Sequence, residues 1–362
     1  MTLKNRAYNF NAGPSALPLE VLEKAQQELV DFQNSGMSIM EMSHRSATFE
    51  EVHNGAIARL RKIYSIPENY EVLFLQGGAS LQFTMIPMNF LQEGQTASYI
   101  QTGAWSEKAF KEAKFFGTPV EAASTKENNY KNIPTEFSFS ADDAYVHLTS
   151  NNTIFGTQWK TFPETGEVPL IADMSSDILS KPVDVSNFGI IYAGAQKNLG
   201  PSGVTVVIIR KDLLEKANKN IPTMLKYTTH ADNNSLYNTP PTFGIYMLGE
   251  VLKWVENEGG LAAIEARNEV KAKLIYDVID NSNGFYTGHA TPESRSLMNI
   301  TFRVADEELE KQFLAEATAA GFIGLSGHRS VGGCRASTYN AVPVETCQAL
   351  AEFMIEFQSS NQ

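Results

Sequence analysis

Lys197 and Asp173 lie at the ends of apolar segments of the chain, and their amine and carboxylate could hold a cofactor by a covalent bond and by charge. Lys197 follows the apolar run 190–195, and a glycine-proline turn separates it from a second apolar run at 204–209. Asp173 ends a third apolar run, where an unpaired charge would be costly. Pyridoxal phosphate needs an amine that binds it as a Schiff base and an anion beside its ring nitrogen, so that the ring withdraws electrons. Lys197 and Asp173 therefore predict a pyridoxal-phosphate site.

A glycine-rich segment offers a place for the phosphate of such a coenzyme. Residues 76–80, Gln-Gly-Gly-Ala-Ser, follow one predicted strand and precede a predicted helix. Backbone amides and a helix N-terminus together favour a bound anion. The sequence has no G-x-x-x-x-G-K-[ST] loop, and its first strand unit has no G-x-G-x-x-G fingerprint. These absences argue against nucleotide hydrolysis and hydride transfer, so the phosphate predicted here is that of a coenzyme.

Two further residues that follow predicted strands each allow a functional and a structural interpretation. The indole of Trp105 could stack on a planar pyridine ring, or it could pack in the core. The hydroxyl of Thr153 could donate a hydrogen bond to the phenolic oxygen of the ring, or Thr153 could be a turn residue.

Two basic clusters indicate an anionic substrate. His44 and Arg45 form one, and the segment 327–335 contains His328, Arg329 and Arg335. The guanidinium fork matches carboxylate and phosphate in two-point contacts. Because serine, glycine and histidine surround these arginines, we expect them to bind a ligand with several acidic groups.

Apolar periodicity predicts two helices and then an alternation of strands and helices. The first helices are expected at 17–32 and 49–63. The predicted strands are 72–75, 97–101, 145–148, 170–172, 190–193 and 204–209, with helices at 81–91 and 106–116. This alternation predicts an α/β fold with a mostly parallel sheet wrapped by helices.

The remainder of the chain predicts a second, smaller domain. Helical residues begin at 243, and Gly259-Gly260 marks a plausible domain border. The elements expected beyond it are a helix at 261–279, a strand at 297–304, a helix at 307–320, a strand at 335–339 and a helix at 344–357. This order is typical of a compact α+β domain.

Composition excludes several classes of function. With 41 acidic and 29 basic residues the net charge is −12, which opposes binding to nucleic acid and to anionic membranes. Cys334 and Cys347 are too few for a disulfide framework and lack the spaced partners of a zinc site. The first six residues lack the apolar core of a signal peptide, and no apolar run approaches the roughly 20 residues of a membrane helix. We expect a cytoplasmic enzyme without a metal.

Several motifs make the whole chain resemble one enzyme family. They are the opening 9–15 (Asn-Phe-Asn-Ala-Gly-Pro-Ser), 42–46 (Met-Ser-His-Arg-Ser), 195–198 (Ala-Gln-Lys-Asn), 327–330 (Gly-His-Arg-Ser) and 333–337 (Gly-Cys-Arg-Ala-Ser). In this order they resemble the phosphoserine aminotransferases, which are fold-type I pyridoxal-phosphate enzymes. The resemblance implies a large coenzyme-binding domain at 16–258 and a small domain formed by 1–15 and 259–362.

The resemblance also implies a role for each candidate residue. Lys197 is the Schiff-base lysine and Asp173 the partner of the ring nitrogen. The other implied coenzyme contacts are Trp105 as the stacking residue, Thr153 and Gln196 at the ring, Ala79 and Ser80 at the phosphate, and Asn238 and Thr239 acting on the neighbouring subunit of a homodimer. Arg335 resembles the residue that clamps the substrate α-carboxylate. The residues that resemble the binding group for the distal phosphate, or for the side-chain carboxylate of glutamate, are His44, Arg45, His328 and Arg329.

The implied reaction transfers the amino group of L-glutamate to 3-phosphohydroxypyruvate, giving 2-oxoglutarate and O-phospho-L-serine. A side activity on 4-phosphohydroxythreonine is also compatible with the family. Some members have an arginine at the position of Ser80, so this chain's phosphate site would rely on neutral donors, the helix dipole and the partner subunit.

Three alternatives remain open at this point. Two are related enzymes, a serine–glyoxylate-type aminotransferase and a cysteine desulfurase, although Cys334 lies in the predicted substrate clamp and not on an evident mobile loop. The third is a binding protein without catalysis, in which Lys197 forms an ion pair with Asp173.

Overall fold

The computed structural model describes residues 6–361, which form one large and several small sheets with helices around them. The strands are β1 (Tyr8–Asn9), β2 (Tyr70–Leu75), β3 (Thr96–Gln101), β4 (Thr118–Ser124), β5 (Val146–Thr149), β6 (Asn151–Asn152), β7 (Thr157–Gln158), β8 (Leu170–Asp173), β9 (Ile190–Gly194), β10 (Thr205–Arg210), β11 (Tyr286–Gly288), β12 (Asn299–Val304), β13 (Phe322–Ile323) and β14 (Cys334–Ser337).

The helices are α1 (Leu19–Glu28), α2 (Ala47–Tyr64), α3 (Gly78–Phe90), α4 (Ala104–Ala113), α5 (Lys211–Lys216), α6 (Tyr227–Asp232), α7 (Thr242–Asn257), α8 (Gly260–Asn281), α9 (Glu307–Ala319) and α10 (Val344–Asn361). Short 3-10 turns occupy Phe32–Asn34, Lys126–Asn128, Val185–Asn187, Thr223–Leu225 and Pro292–Ser294. Among residues 6–361, no helix is both long and apolar enough to cross a membrane.

The large sheet has seven strands in the order β2-β10-β9-β8-β5-β3-β4. Strand β10 runs antiparallel to both of its neighbours, and the other pairs are parallel. The central strands β8 and β9 are buried along their whole length, because helices cover both faces of the sheet. The prediction of a mostly parallel sheet flanked by helices is confirmed.

This topology places the chemistry-bearing segments at one edge of the sheet. Strands β2, β3, β5, β8 and β9 all point the same way, so the segments that follow their carboxyl ends meet there. In open α/β sheets ligands bind in the crevice outside these ends.

The second unit packs α8, α9 and α10 against the antiparallel sheet β11-β12-β14. Its core is an aromatic-rich cluster that also includes Phe10 and Ala16 from the start of the chain, and β1 pairs with β13. A lysine lies inside this unit: Lys271 of α8 is fully buried, and its Nζ donates to the carbonyl oxygens of Thr338 at 3.0 Å and Tyr339 at 2.7 Å.

The elements differ from the prediction mainly at exposed or short segments. The first helix ends at Glu28 and not at residue 32, and a 3-10 turn follows it. Strand β4 was not predicted, because it is an edge strand with most of its side chains at least partly exposed. The short helices α5 and α6 were also missed, since six residues carry too little periodicity.

Candidate active site

A cavity of about 470 Å³ lies at the carboxyl edge of the large sheet. Nine of the predicted site residues line it: Ala79, Ser80, Trp105, Thr153, Asp173, Gln196, Lys197, His328 and Arg335. They come from the ends of five strands or the turns beyond them and from the segment 327–335, so the fold brings together residues that are far apart in the chain. Another cavity, of about 500 Å³, lies against α7, α8 and α10 and contains none of them.

Lys197 reaches into the cavity from the turn after β9. Its Nζ donates a hydrogen bond to Thr153 Oγ1 at 2.8 Å. Burial lowers the pKa of this amine to about 8, although the nearby Asp173 carboxylate opposes that effect. A lysine with such a pKa has a substantial neutral fraction near neutral to mildly basic pH, which is what a nucleophile or general base requires.

Asp173, the last residue of β8, is buried and incompletely compensated. Its Oδ1 accepts a hydrogen bond from the backbone amide of Ser175 at 2.9 Å. Burial raises the pKa of this carboxyl group, and the serine hydrogen bonds and the charge of Lys197 only partly offset the rise. Within residues 6–361 no ion pair joins Asp173 to Lys197. The ion pair of the non-catalytic alternative is therefore not formed, and Asp173 suits a cationic N–H group from a ligand.

The glycine-rich segment has the geometry of an anion cradle. Gly77 and Gly78 have φ angles of 87° and 64°, a left-handed conformation that favours glycine. They lead directly into α3, whose first turn has no side-chain cap. The first amides of this helix, including those of Ala79 and Ser80, therefore remain available to a phosphate.

Trp105 forms one wall of the cavity from the first turn of α4. The ammonium group of Lys108 lies 4.1 Å from the centroid of its ring. In the described part of the chain the buried indole Nε1 finds no hydrogen-bond partner. An aromatic wall with an unused donor suits a planar ring that bears polar substituents.

Arg335 and His328 supply positive charge at the cavity. Arg335 Nη1 donates to the carbonyl oxygen of Thr153 at 3.2 Å, while its buried Nε has no partner among residues 6–361. Burial lowers the pKa of Arg335. The pKa of His328 is lowered by burial and by the neighbouring positive charge of Arg335. Since an unused guanidinium donor is costly to bury, the site suits a carboxylate ligand.

Five predicted residues do not line the cavity of this chain: His44, Arg45, Asn238, Thr239 and Arg329. Arg45, Thr239 and Arg329 are exposed. The loop that carries His44 and Arg45 leads into α2. His53 of α2 is hydrogen-bonded through Nε2 to the carbonyl oxygen of Asn234 at 2.8 Å, so α2 connects this loop to the one that carries Asn238 and Thr239. The sequence predicted these residues as ligand contacts but did not place His44 and Arg45 outside the cavity.

Other cavity residues were not predicted as site residues. They include Ala12, Gly13, Thr149, Asn151, Ser175 and Ser176. The pair Ser175-Ser176 could have been suspected because it lies two and three positions after Asp173, and the opening motif 9–15 contains Ala12 and Gly13. Among the described residues, no three or more His, Cys, Asp or Glu side chains are grouped to hold a metal ion.

Comparison with known proteins gives consistent results over the whole chain. The sequence model of the class-V aminotransferases matches residues 7–350. A phosphoserine aminotransferase of Lysinibacillus sphaericus is 80% identical over 362 residues, covering 99% of this chain and 100% of that protein. The corresponding enzyme of Bacillus subtilis is 59% identical over 358 residues and 99% of each chain.

Solved structures lead to the same family. A phosphoserine aminotransferase from Bacillus circulans subsp. alkalophilus superposes with a TM-score of 0.97 at 62% identity and covers 99% of both chains. A pyridoxal-phosphate-bound phosphoserine aminotransferase from Trichomonas vaginalis has a TM-score of 0.92 at 43% identity, covering 97% of this chain and 100% of its own. This chain therefore belongs to the class-V aminotransferase family and, within it, to the phosphoserine aminotransferases.

Proposed function

We propose that the cavity transfers the amino group of L-glutamate to 3-phosphohydroxypyruvate, giving 2-oxoglutarate and O-phospho-L-serine. The enzyme is a pyridoxal-phosphate-dependent transaminase of L-serine biosynthesis. The observation that carries this proposal is the convergence of Lys197, Asp173, Arg335 and the anion cradle at residues 77–80 on one cavity.

The cavity fits pyridoxal phosphate residue by residue. The first turn of α3 would hold the phosphate, with the amides of Ala79 and Ser80 as donors. Trp105 would stack on the ring, Asp173 would face the ring nitrogen, and Thr153 and Gln196 would contact the ring substituents. When bound, the coenzyme supplies an aldehyde that condenses with amines and a ring that withdraws electrons from the substrate α-carbon.

Lys197 has two tasks in this proposal, holding the coenzyme and moving a proton. Its amine has a pKa of about 8 because it is buried, so the neutral form is available to accept the proton of the substrate α-carbon. Thr153 Oγ1, at 2.8 Å from Nζ, restrains the amine beside the reacting atoms. Asp173 would hold the ring nitrogen of the coenzyme and would favour its protonated form by supplying a negative charge.

Arg335 and His328 would orient the substrate. The unused Nε of Arg335 offers a donor to the α-carboxylate of the substrate. Arg335 Nη1 also donates to the carbonyl oxygen of Thr153, the residue whose hydroxyl accepts from Lys197, and this bond keeps the guanidinium near the lysine. Cys334 is fully buried, and burial raises the pKa of its thiol. This environment disfavours the nucleophilic thiolate that a cysteine desulfurase needs.

The test of this activity is an assay of the purified chain with L-glutamate and a panel of keto acids. We expect turnover with 3-phosphohydroxypyruvate to exceed that with its unphosphorylated analogue by about 10²-fold or more, because the basic residues would bind the phosphate group of the substrate. Including the keto acid that yields 4-phosphohydroxythreonine tests the proposed side activity. A preference for the serine–glyoxylate pair would contradict the proposal.

We also infer a homodimer whose partner subunit completes the site. His44, Arg45, Asn238 and Thr239 lie outside this chain's own cavity, on loops fastened to each other through α2. Large apolar side chains on the neighbouring segments are exposed, namely Met37, Met40, Met224 and Tyr237. A surface of this kind is typical of an interface, and in a two-fold dimer each subunit gives the same residues to the other.

Mixed dimers test this inference. Lys197→Ala and Arg45→Ala chains are purified separately, mixed in equal amounts, dissociated and reassociated. If Arg45 serves the neighbouring subunit, half of the dimers carry one intact site, so activity recovers to about a quarter of the wild-type value. If both residues serve the same cavity, mixing restores nothing beyond the parents' activity.

The division into domains and the cellular location are also inferences. We propose a large domain at 16–258 and a small one at 1–15 and 259–362, a division supported by Phe10, which packs in the apolar cluster of the second unit. Near the proposed borders, Ala16 packs in that cluster too, and Leu261 and Ile264 pack in the cluster of the large sheet; residues 1–5 and 362 lie outside the described part. Two free, buried thiols, Cys334 and Cys347, suit a reducing compartment, and we place the enzyme in the cytoplasm.

A further inference from the structure

A short stretch near the start of the chain lies directly against the Lys197 side chain. We call residues 11–15 the N-terminal strap. Ser15 fastens its far end, because the Ser15 amide donates to the Gln196 carbonyl at 3.0 Å and Ser15 Oγ donates to the Lys197 carbonyl at 2.6 Å. Gly13 lies beside the lysine stem, close enough that an added Cβ atom would lie 3.4 Å from both Cγ and Cε of Lys197. The strap therefore restricts how the lysine stem moves.

Tyr339 fastens the other part of the strap. Its side chain is fully buried just beyond β14, and its hydroxyl donates to the Ala12 carbonyl oxygen at 2.7 Å. The same hydroxyl accepts a hydrogen bond from Asn299 Nδ2 at 3.2 Å, and Asn299 Nδ2 also donates to Ser337 Oγ at 3.0 Å. Two strands of the small sheet thus hold the phenol in one orientation toward the strap.

A comparison with another tyrosine separates this arrangement from ordinary core packing. Tyr286 is also buried, and its hydroxyl also donates to a backbone carbonyl, that of Met354 at 2.8 Å. Tyr286 belongs to the apolar cluster of the second unit, whereas Tyr339 belongs to none of the apolar clusters in the described part of the chain. The bond of Tyr339 reaches a segment that lines the active cavity instead.

We propose that Tyr339 is a positioning residue for Lys197, acting through the N-terminal strap. Its hydroxyl holds the Ala12 carbonyl, the adjacent Gly13 lies beside the lysine stem, and the amine is thereby kept at Thr153 and away from water. This inference rests on the proposed function only in assigning catalysis to Lys197. The effect on the lysine itself is independent of that assignment.

The charged groups around the amine determine what loosening the strap does. Asp173, Asp177 and Arg335 act on Lys197 electrostatically, and Arg335 and Asp177 also act on Tyr339. Burial is the largest influence on the Lys197 amine and lowers its pKa to about 8. Because water admitted beside the stem would weaken that influence, loss of the Tyr339 hydroxyl raises the pKa of the amine.

The experiment compares Tyr339→Phe with Tyr286→Phe, which loses the same kind of hydrogen bond away from the cavity. The first measurement is the pH dependence of acetic anhydride labelling of Lys197 in the coenzyme-free chain, quantified by mass spectrometry. The second is kcat of the coenzyme-loaded enzyme. We expect Tyr339→Phe to raise the labelling pKa by about half a pH unit or more and to lower kcat by about tenfold, with little change in KM. Tyr286→Phe leaves both values at the wild-type level, although both variants lose thermal stability.

A second variant covers the case in which Tyr339→Phe does not fold. Ser15→Ala removes the hydroxyl bond to the Lys197 carbonyl, one of the two bonds that fasten the other end of the strap, without touching the small sheet, and it shifts Lys197 labelling and kcat in the same directions. The inference is overturned if the folded Tyr339 variant matches Tyr286→Phe in both measurements, or if Ser15→Ala changes neither. Inactive wild-type enzyme would refute the proposed function instead, while the labelling comparison would still decide the role of Tyr339.

Discussion

Two regions of the molecule each bury a lysine amine, and only one of these amines borders the cavity proposed as the active site. Lys197 borders the cavity at the sheet edge, where its amine bonds to the Thr153 hydroxyl. Lys271 is sealed in the second unit, where its amine donates to two backbone carbonyls. Burial lowers the pKa of both amines, to about 8 for Lys197 and about 7 for Lys271.

The comparison shows that a perturbed pKa does not by itself mark a catalytic lysine. A neutral amine has two N–H donors, and Lys271 donates both, to the carbonyl oxygens of Thr338 and Tyr339, so no N–H group is left for a ligand. Lys197 has one hydroxyl partner, a cavity in front of it and the carboxylate of Asp173 nearby. Access and unused bonding capacity distinguish the two sites.

Replacing each lysine tests the comparison most strongly. Lys197→Ala removes the group proposed to hold the coenzyme and move the proton, so we expect kcat to fall by about 10⁴-fold or more. Lys271→Met keeps the volume and loses no group of the cavity, so kcat falls by no more than about tenfold, through the backbone of Tyr339. Steady-state kinetics on variants whose folding is verified by circular dichroism measure both. Equal losses in the two variants would end the distinction.

Two buried carboxylates sharpen the comparison further. Asp177 bonds to Ser150 and, at 3.1 Å, to Gln158 Nε2, whereas Asp173 keeps bonding capacity toward the cavity. We expect Asp173→Asn to lower kcat by about 10²- to 10³-fold, because the amide cannot stabilise a protonated ring nitrogen.

The matched substitution Asp177→Asn lowers thermal stability and changes kcat by less than about tenfold. Coenzyme affinity, followed by Trp fluorescence quenching, should weaken for the Asp173 variant alone. A larger kinetic loss at Asp177 would show that the two carboxylates have been assigned the wrong roles.

The smallest expected effect is a pH dependence of stability that arises from Lys271. In the folded chain this amine loses its proton near pH 7, while in the unfolded chain it keeps the proton up to about pH 10.5. The unfolded state binds more protons in that window, so stability rises with pH.

Between pH 7 and 9 the wild-type free energy of unfolding should therefore increase by about 2 kcal/mol more than that of Lys271→Met. Urea denaturation at fixed protein concentration measures the difference. Identical pH profiles would mean that Lys271 remains protonated inside the fold.

Much of the large unit could be predicted from the sequence, because its central strands are apolar runs bounded by turn residues. Strand direction could not be predicted: the run 204–209 resembles its neighbours, yet β10 is antiparallel. Strand β4 lacks the apolar pattern because it lies at the exposed sheet edge. The apolar pattern of a segment predicts whether a strand is buried, but it does not predict whether the strand runs parallel or antiparallel to its neighbours.

The site divides in a similar way. Lys197, Asp173 and residues 76–80 could be recognised because their residue types follow strands. The role inferred for Tyr339 could not, since an aromatic residue after a strand is indistinguishable from core packing until its partner, Ala12, is known. The position of His44 and Arg45 outside the cavity depends on tertiary contacts through α2.

The bond between Tyr339 and Ala12 spans 327 positions, and it has a consequence for biogenesis. A ribosome releases the N-terminal portion of the polypeptide first, and the Ala12 carbonyl oxygen cannot accept this hydrogen bond until residue 339 has been synthesised. In the proposed site, the nascent chain would complete its cofactor-binding surface only after Tyr339 has been added. Messages truncated upstream of the Tyr339 codon would yield products that fold in part yet retain the cofactor poorly.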